Sequence, residues 1–361
     1  MESSTIEVLR SDHDADFRTW DSLVDKSPVP DVYFRPGYVS ACREAGTQSV
    51  IALVINARGF QCLLPFLVTE TPERIKYAYS PYGYGGLLPL ETESAPTRGQ
   101  VAALRLALQQ WSRQNSIVSV VIRLHPLLHQ ELWFDADPDE DAITQLGNET
   151  VSVALNPWNE EVQSIASLNK GRRTDLKVAR RGLRLSWGCG WNEDSRNSLE
   201  KFRTIYDDSM RNLGARDFYF FPETYYLDLA RGLDQRLAVG LAWRDEQVVG
   251  GALFMADLKF AHYHLSASNL VGYEFKASTL LVNEGASWAR KLGCNQIHLG
   301  GGVKPDDTLF RFKQSFGGTT FRYGTVTIVA DRVAFNSIRQ APDAPWPFAM
   351  HRQSVPAVSP Q

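Results

Sequence analysis

Apolar residues along this chain recur with two spacings, and the alternation between them marks out its elements. Residues 16–25 carry Phe17, Trp20, Leu23 and Val24 at helical spacing. Residues 36–45 predict a second short helix, with Pro36 in a first-turn position that tolerates it. The runs 49–56 and 60–69 are β-rich and joined by Ala57, Arg58 and Gly59, a hairpin signal. Residues 75–80 add a short strand, 100–114 an amphipathic helix, 117–124 a β-branched strand and 151–155 one more strand.

The second half repeats this order. A basic helix over 170–181 and a strand over 183–187 precede helices over 195–212 and 222–232. Strands over 237–243, 248–255 and 260–266 follow with tight turns between them, the pattern of a β-meander. A helix over 277–292 stops at Gly293, then come a strand over 296–299, a short helix and a last strand over 320–329. No residue-level repeat links the halves, so the duplication is one of architecture. Residues 341–361 are rich in proline and read as a tail.

The most informative stretch is residues 296–318, Gln-Ile-His-Leu-Gly-Gly-Gly-Val-Lys-Pro-Asp-Asp-Thr-Leu-Phe-Arg-Phe-Lys-Gln-Ser-Phe-Gly-Gly. It reads as strand, glycine turn and short helix. Gly300, Gly301 and Gly302 permit a backbone that a Cβ would forbid, or let a ligand approach the main chain. Asp306 or Asp307 can cap the helix, and Gly317 and Gly318 can end it. Leu309, Phe312 and Phe316 share one stripe and Lys313 falls inside it. A lysine there must snorkel, find a partner or serve a pocket.

This motif resembles the C-terminal signature of the FemABX-like family, aminoacyltransferases of the GNAT superfamily. The resemblance implies an α/β chain with a mixed sheet and two tandem acetyltransferase-like domains, expected at 1–155 and 156–340. Helix, helix, three strands, helix, strand, helix, strand is the element order of that fold. The resemblance also implies an amide-forming enzyme that takes an aminoacyl group from aminoacyl-tRNA to an amine-bearing acceptor. A phosphorylated cell-wall precursor or a peptide-like metabolite would fit as acceptor. It places Lys313 in the active centre, where a cation would stabilise the oxyanion of the attacked ester. It also assigns Arg172 and Arg173 to a phosphorylated substrate. No helical run matches the long coiled-coil insertion that some members direct towards tRNA.

Composition narrows the classes. Hydrophobic residues make up 43 % of the 361 and charged residues 22 %, ordinary for a chain with a sizeable core. No apolar run reaches membrane-spanning length, and the first residues lack a secretory pattern. Cys42, Cys62, Cys189 and Cys294 have no paired spacing, which suits a reducing cytoplasm and argues against a structural zinc site. Formal net charge is −3, yet residues 170–181 hold six basic side chains against Asp175 alone. Such an island, with Arg172, Arg173 and Lys177 near a helix N-terminus, is either a solvated basic face or an anion site; its concentration favours the second.

Strand 260–269 supplies further candidates. Strict alternation puts His262 and His264 on one face and Ala261, Tyr263 and Leu265 on the other. The two histidines have no carboxylate or cysteine at ligand spacing, so no metal is expected. Tyr263 is either a buried aromatic or a hydroxyl donor to the reacting group, with Ser266 and Asn269 extending the same wall. The following loop, 270–277, shares only Gly272 with a pyrophosphate cradle, and Glu274 would repel pyrophosphate. Coenzyme A is therefore disfavoured as donor and no cofactor is expected. Tyr82 and Tyr84, among glycines, line an acceptor groove or cap a surface turn; Arg123 and His125 read as structural. The rival functions are an acyl-CoA-dependent N-acyltransferase and a non-catalytic protein that binds an anionic ligand.

Overall fold

The computed structural model describes residues 4–44, 47–134 and 142–340. The tail read from residues 341–361 lies outside them. In the first half, β1 (Thr5–Arg10), α1 (Asp14–Lys26) and α2 (Pro36–Ala41) lead into β2 (Thr47–Ala57), β3 (Phe60–Glu70), β4 (Lys76–Tyr79) and the two-residue β5 (Leu88–Pro89). Then come α3 (Arg98–Gln114), β6 (Ile117–Arg123), α4 (Glu131–Phe134) and β7 (Ala142–Ala154). After the small β8 (Trp158–Asn159) and β9 (Ser164–Ile165), the second half runs α5 (Lys170–Gly182), β10 (Arg184–Cys189), α6 (Glu193–Asn212), α7 (Glu223–Leu233), β11 (Leu237–Arg244), β12 (Gln247–Ala256) and β13 (Phe260–Ser268). It closes with α8 (Leu270–Glu274), α9 (Ala277–Lys291), β14 (Gln296–Gly301), α10 (Thr308–Gln314), β15 (Thr319–Val329) and α11 (Arg332–Gln340). Both halves thus present two helices, an antiparallel meander, a helix and a parallel crossover strand.

One mixed sheet runs through the molecule in the order β1-β2-β3-β4-β6-β15-β7-β14-β13-β12-β11-β10, with β5 beside β3. Only β4/β6 and β13/β14 are parallel, one pair in each half. The halves meet through β15 and β7. β15 lies antiparallel to both β6 and β7, and β7 in turn pairs with β14. The last strand of the chain therefore completes the sheet of the first half, a long-range pairing that local pattern cannot reveal. The strand expected at 151–155 is the end of β7. Its first part (Ala-Ile-Thr-Gln-Leu-Gly-Asn-Glu) is only half buried and lacks a clean alternation.

The halves also share a core. Trp20, Tyr33, Tyr38, Phe202, Tyr226 and Leu253 belong to one buried cluster drawn from both. α2 and α7 cross at Gly37 and Gly232, where a Cβ on either would lie within 2.3–2.7 Å of the other's backbone. Close backbone approach thus fixes the relative position of the halves. The Arg35 guanidinium, 2 % exposed, grips Asp257 through two hydrogen bonds of 2.7 and 3.0 Å. Asp21 and Asp25 of α1 pair with the same guanidinium. Among the described residues no helix is long and apolar enough to cross a membrane.

Candidate functional site

The site is built where β13 and β14 part. They pair only over Phe260–His262 and Gln296–His298, after which β13 runs on without that neighbour. Just past the fork β13 bulges. Phe254 of β12 faces Tyr263 and Leu253 faces Leu265, so His264 is the inserted residue. The bulge changes which side each residue serves. Tyr263 joins Ala261 in the core under α9, its ring tilted against Phe254 (ring centroids 5.5 Å), whereas Leu265 joins the core shared with the first half. Strict alternation, which set Leu265 beside Tyr263, fails at this inserted residue.

α10 delivers Lys313 to the fork. Asp307 caps the helix, accepting from the N–H of Phe310 with one carboxylate oxygen and from those of Val303 and Lys304 with the other. Asp306 instead pairs with Arg311 on the outer side. Phe310 and Phe316 anchor the helix in the core, while Leu309, expected there, is 41 % exposed. Lys313 is 9 % exposed and its Nζ donates to the carbonyl of Gly301 at 2.7 Å. Burial pulls its pKa down from 10.5 to about 8, against a small opposing pull from Asp307. Gly300 has φ +72°, and a Cβ there would come within 3.4 Å of the Lys313 amine and 3.9 Å of the Tyr84 hydroxyl. Those are ordinary contacts, so it is the positive φ rather than want of space that calls for glycine at 300.

The first half supplies the facing wall. The Tyr84 ring meets His298 at 4.9 Å and Tyr323 at 5.4 Å. Tyr82 packs edge-on to His264 (5.7 Å) and to Phe221 (5.6 Å). The His264 Nε2 and Tyr225 hydroxyl share a 2.6 Å hydrogen bond, and burial lowers His264 to about 3. Burial also raises Tyr82 to about 12 and lowers His298 well below its ordinary range, with neighbouring His262 adding to the second effect. Burial keeps the tyrosines and histidines of this wall uncharged at neutral pH, while the Arg123 guanidinium lies close enough to Tyr82 and Tyr84 to oppose part of the rise in their pKa.

Below the fork lies a buried polar cluster. Asp31 Oδ2 is 2.7 Å from His262 Nε2 and 3.3 Å from His125 Nε2, and all three residues are at most 1 % exposed. The two histidines expected on one face have different partners: His262 meets Asp31 and His264 meets Tyr225.

The other expected residues are spread out. Arg172 is held by Asp175 (3.0 Å), by Thr279 (2.9 Å) and over the Phe312 ring (5.1 Å), so α5 touches the helix that carries Lys313. Arg173 donates to the Leu168 carbonyl at 2.7 Å, and Lys177 is exposed on the same helix. Asn269 caps α8 by accepting from the Gly272 N–H, and lines a cavity of about 690 Å³ with Ser268, Leu270 and Tyr273 at the far end of β13. Ser266 is half buried on β13. Gly301 and Gly302 have packing reasons to lack a side chain. A Cβ at Gly301 would meet the Glu149 carbonyl at 2.6 Å, and one at Gly302 would strike the Asp307 carboxylate at 2.2 Å.

The structure thus brings Lys313, Gly301 and Tyr84 together, with Tyr82 nearby through His264. It does not bring Tyr263, Asn269 or Lys177 to them. Sequence reasoning missed His298, Tyr323, Tyr33 and Asp31. Only His298 carried a readable signal, since alternation along its strand puts it on the face of Gly300.

The fold is similar to solved structures throughout its length. FemX superposes with a TM-score of 0.67 over 89 % of this chain and 98 % of that one, at 13 % identity. The L-PGS of Bacillus licheniformis gives 0.54 over 87 % and 92 %, at 12 % identity. A tandem GNAT protein from the clavulanic acid biosynthesis pathway gives 0.50 over 91 % and 99 %, at 12 % identity. No protein-family model and no curated protein matches the sequence. The chain has the tandem GNAT fold of these proteins.

Proposed function

We propose that this chain is an acyltransferase that forms an amide, moving an aminoacyl group from aminoacyl-tRNA to an amine-bearing acceptor at the β13/β14 fork. The observation that carries the proposal is the Lys313 amine, buried at the fork, donating to the Gly301 carbonyl, with the Tyr84 hydroxyl also near Gly300. The acceptor nitrogen attacks the ester carbonyl, the C–N bond forms and the carbonyl oxygen gains charge. An ammonium in a poorly solvated site stabilises that charge more than it stabilises the neutral ester. The C–O bond then breaks and the ribose hydroxyl leaves with a proton.

Two features support an ester donor over a thioester carried by coenzyme A. Gly272 has a packing reason of its own, because a Cβ would lie 2.1 Å from the Val249 carbonyl. Its N–H is already bonded to Asn269, so the turn after β13 offers a poor cradle for pyrophosphate. On the acceptor side, Arg173 and Lys177 line the exposed basic face of α5, and Arg172 ties that helix to α10. An acceptor with a phosphate fits such a face. The second reading, acyl-CoA-dependent N-acylation, is favoured by the tandem GNAT neighbour, whose structure is described as lacking AcCoA.

The test supplies the protein with charged tRNAs, the same amino acids plus ATP, or acetyl-CoA, each with mixed amine acceptors. Product that needs charged tRNA and vanishes on RNase treatment is expected. Product from acetyl-CoA alone would replace this reading with the second one.

A further inference from the structure

We propose that Asp31, His125 and His262 bind one divalent transition-metal ion, zinc being the first to test, and so clasp the two halves beneath the fork. The three ligands come from separate elements: the turn before α2, the segment after β6, and β13. Their donor atoms all lie within 4.8 Å of one another in the fully buried interior. Two imidazole nitrogens and one carboxylate oxygen form a donor set that suits zinc and its first-row neighbours.

The separations of Asp31 from the two imidazoles suit a shared ion. One placed about 2.1 Å from each donor subtends about 80° between Asp31 Oδ2 and His262 Nε2, and about 104° between Asp31 Oδ2 and His125 Nε2. The ring Nδ1 atoms of His125 and His262 have no hydrogen-bond partner among the described residues. Both Nε2 atoms lie at hydrogen-bond distance from Asp31 Oδ2, so an ion bound there would take the place of those two contacts.

Charge supplies the second argument. Asp31 is 0 % exposed, and its other oxygen accepts the Tyr33 N–H. No lysine or arginine pairs with it among the described residues; Arg35, close in sequence, is committed to Asp21, Asp25 and Asp257. A buried carboxylate of this kind needs a counter-charge. The candidates are a metal ion or a proton on one imidazole. The sequence hid this site because Asp31 and His262 stand 231 residues apart.

The test uses the purified full chain, stripped with chelator and titrated with Zn(II) or Co(II). One ion per chain should remain after gel filtration. The Co(II) form should show visible ligand-field absorption and two contact-shifted exchangeable N–H resonances, one from each imidazole. Asp31→Asn and His125→Ala should each lower retention at least tenfold. Wild-type protein that retains no ion and shows no shifted N–H pair would overturn the proposal, as would undiminished retention in a folded His125→Ala. If both variants fail to fold, the two wild-type resonances decide alone. Their absence rejects the site and leaves an imidazolium as the counter-charge. None of these readouts depends on acyl transfer, so the site stands or falls separately from the proposed function.

Discussion

Replacing Lys313 with methionine is expected to stabilise the protein while lowering its activity by about a hundredfold or more. The amine is 9 % exposed, and its pKa falls from 10.5 to about 8 because burial disfavours the charge. At 1.36 kcal/mol per pK unit, holding the ammonium in the folded state costs about 3 kcal/mol. The sign follows from proton counts. Below pH 8 both folded and unfolded chains bear the proton, and the native state carries the whole cost. Between about 8 and 10.5 the native amine is deprotonated while the unfolded one is not. The unfolded state then binds more protons, and stability rises with pH. Methionine has similar volume and no charge, but it loses the hydrogen bond to Gly301, worth about 1 kcal/mol. The variant should therefore gain about 2 kcal/mol at pH 7, and most of that advantage should disappear by pH 9.5. Urea denaturation of both proteins at the two pH values measures the difference. A variant that is less stable at pH 7 by the same margin as at pH 9.5 would refute the reasoning. It would mean that some group holds the amine in its charged form.

The same titration has a kinetic counterpart: if the ammonium is the working form, turnover at saturating donor should fall as pH rises through about 8. A rate that climbs through that pH would instead make the neutral amine a base. Asp257→Ala should cost about 2–4 kcal/mol in urea denaturation, since Arg35 loses its two-bond partner in the interior but keeps Asp21 and Asp25. A change below 0.5 kcal/mol, on the scale of an exposed pair, would contradict the buried clasp. Gly302→Ala should cost about 1–3 kcal/mol and reduce turnover, because its Cβ displaces the Asp307 carboxylate that caps the Lys313 helix. Unchanged melting would show that the cap can move aside.

The second half was legible because its strands are bounded by tight turns and its helices by caps. Asp307 and Gly317 mark the ends of α10 in sequence and in structure, with φ +78° at Gly317 supplying the stop. What escaped was everything that depends on pairing over long distances. β15 enters the sheet between β6 and β7, and Asp31 reaches His262, through contacts with no local signature. α11 escaped for another reason, having only Phe335 and Ile338 as buried anchors. The bulge at His264 undid the face assignment of Leu265, since one inserted residue shifts every later side chain by one step. The glycines were recognised as necessary, but at 301 and 302 the neighbours that require them are Glu149 and Asp307. Lys313 was legible as a lysine on an apolar stripe and is buried in the structure, whereas Tyr84, whose hydroxyl also lies near Gly300, comes from a loop more than 200 residues earlier.

The central claim is that the fork is a reaction centre and Lys313 its working cation. Single-turnover amide formation, with the donor that supports product and with wild type and Lys313→Met side by side, tests it most directly. The account predicts a loss of about 10²–10³-fold or more in the variant, the scale of removing one oxyanion donor, in a protein that remains folded. Wild-type rates in the variant would move the chemistry elsewhere in the molecule and leave Lys313 a buried structural lysine.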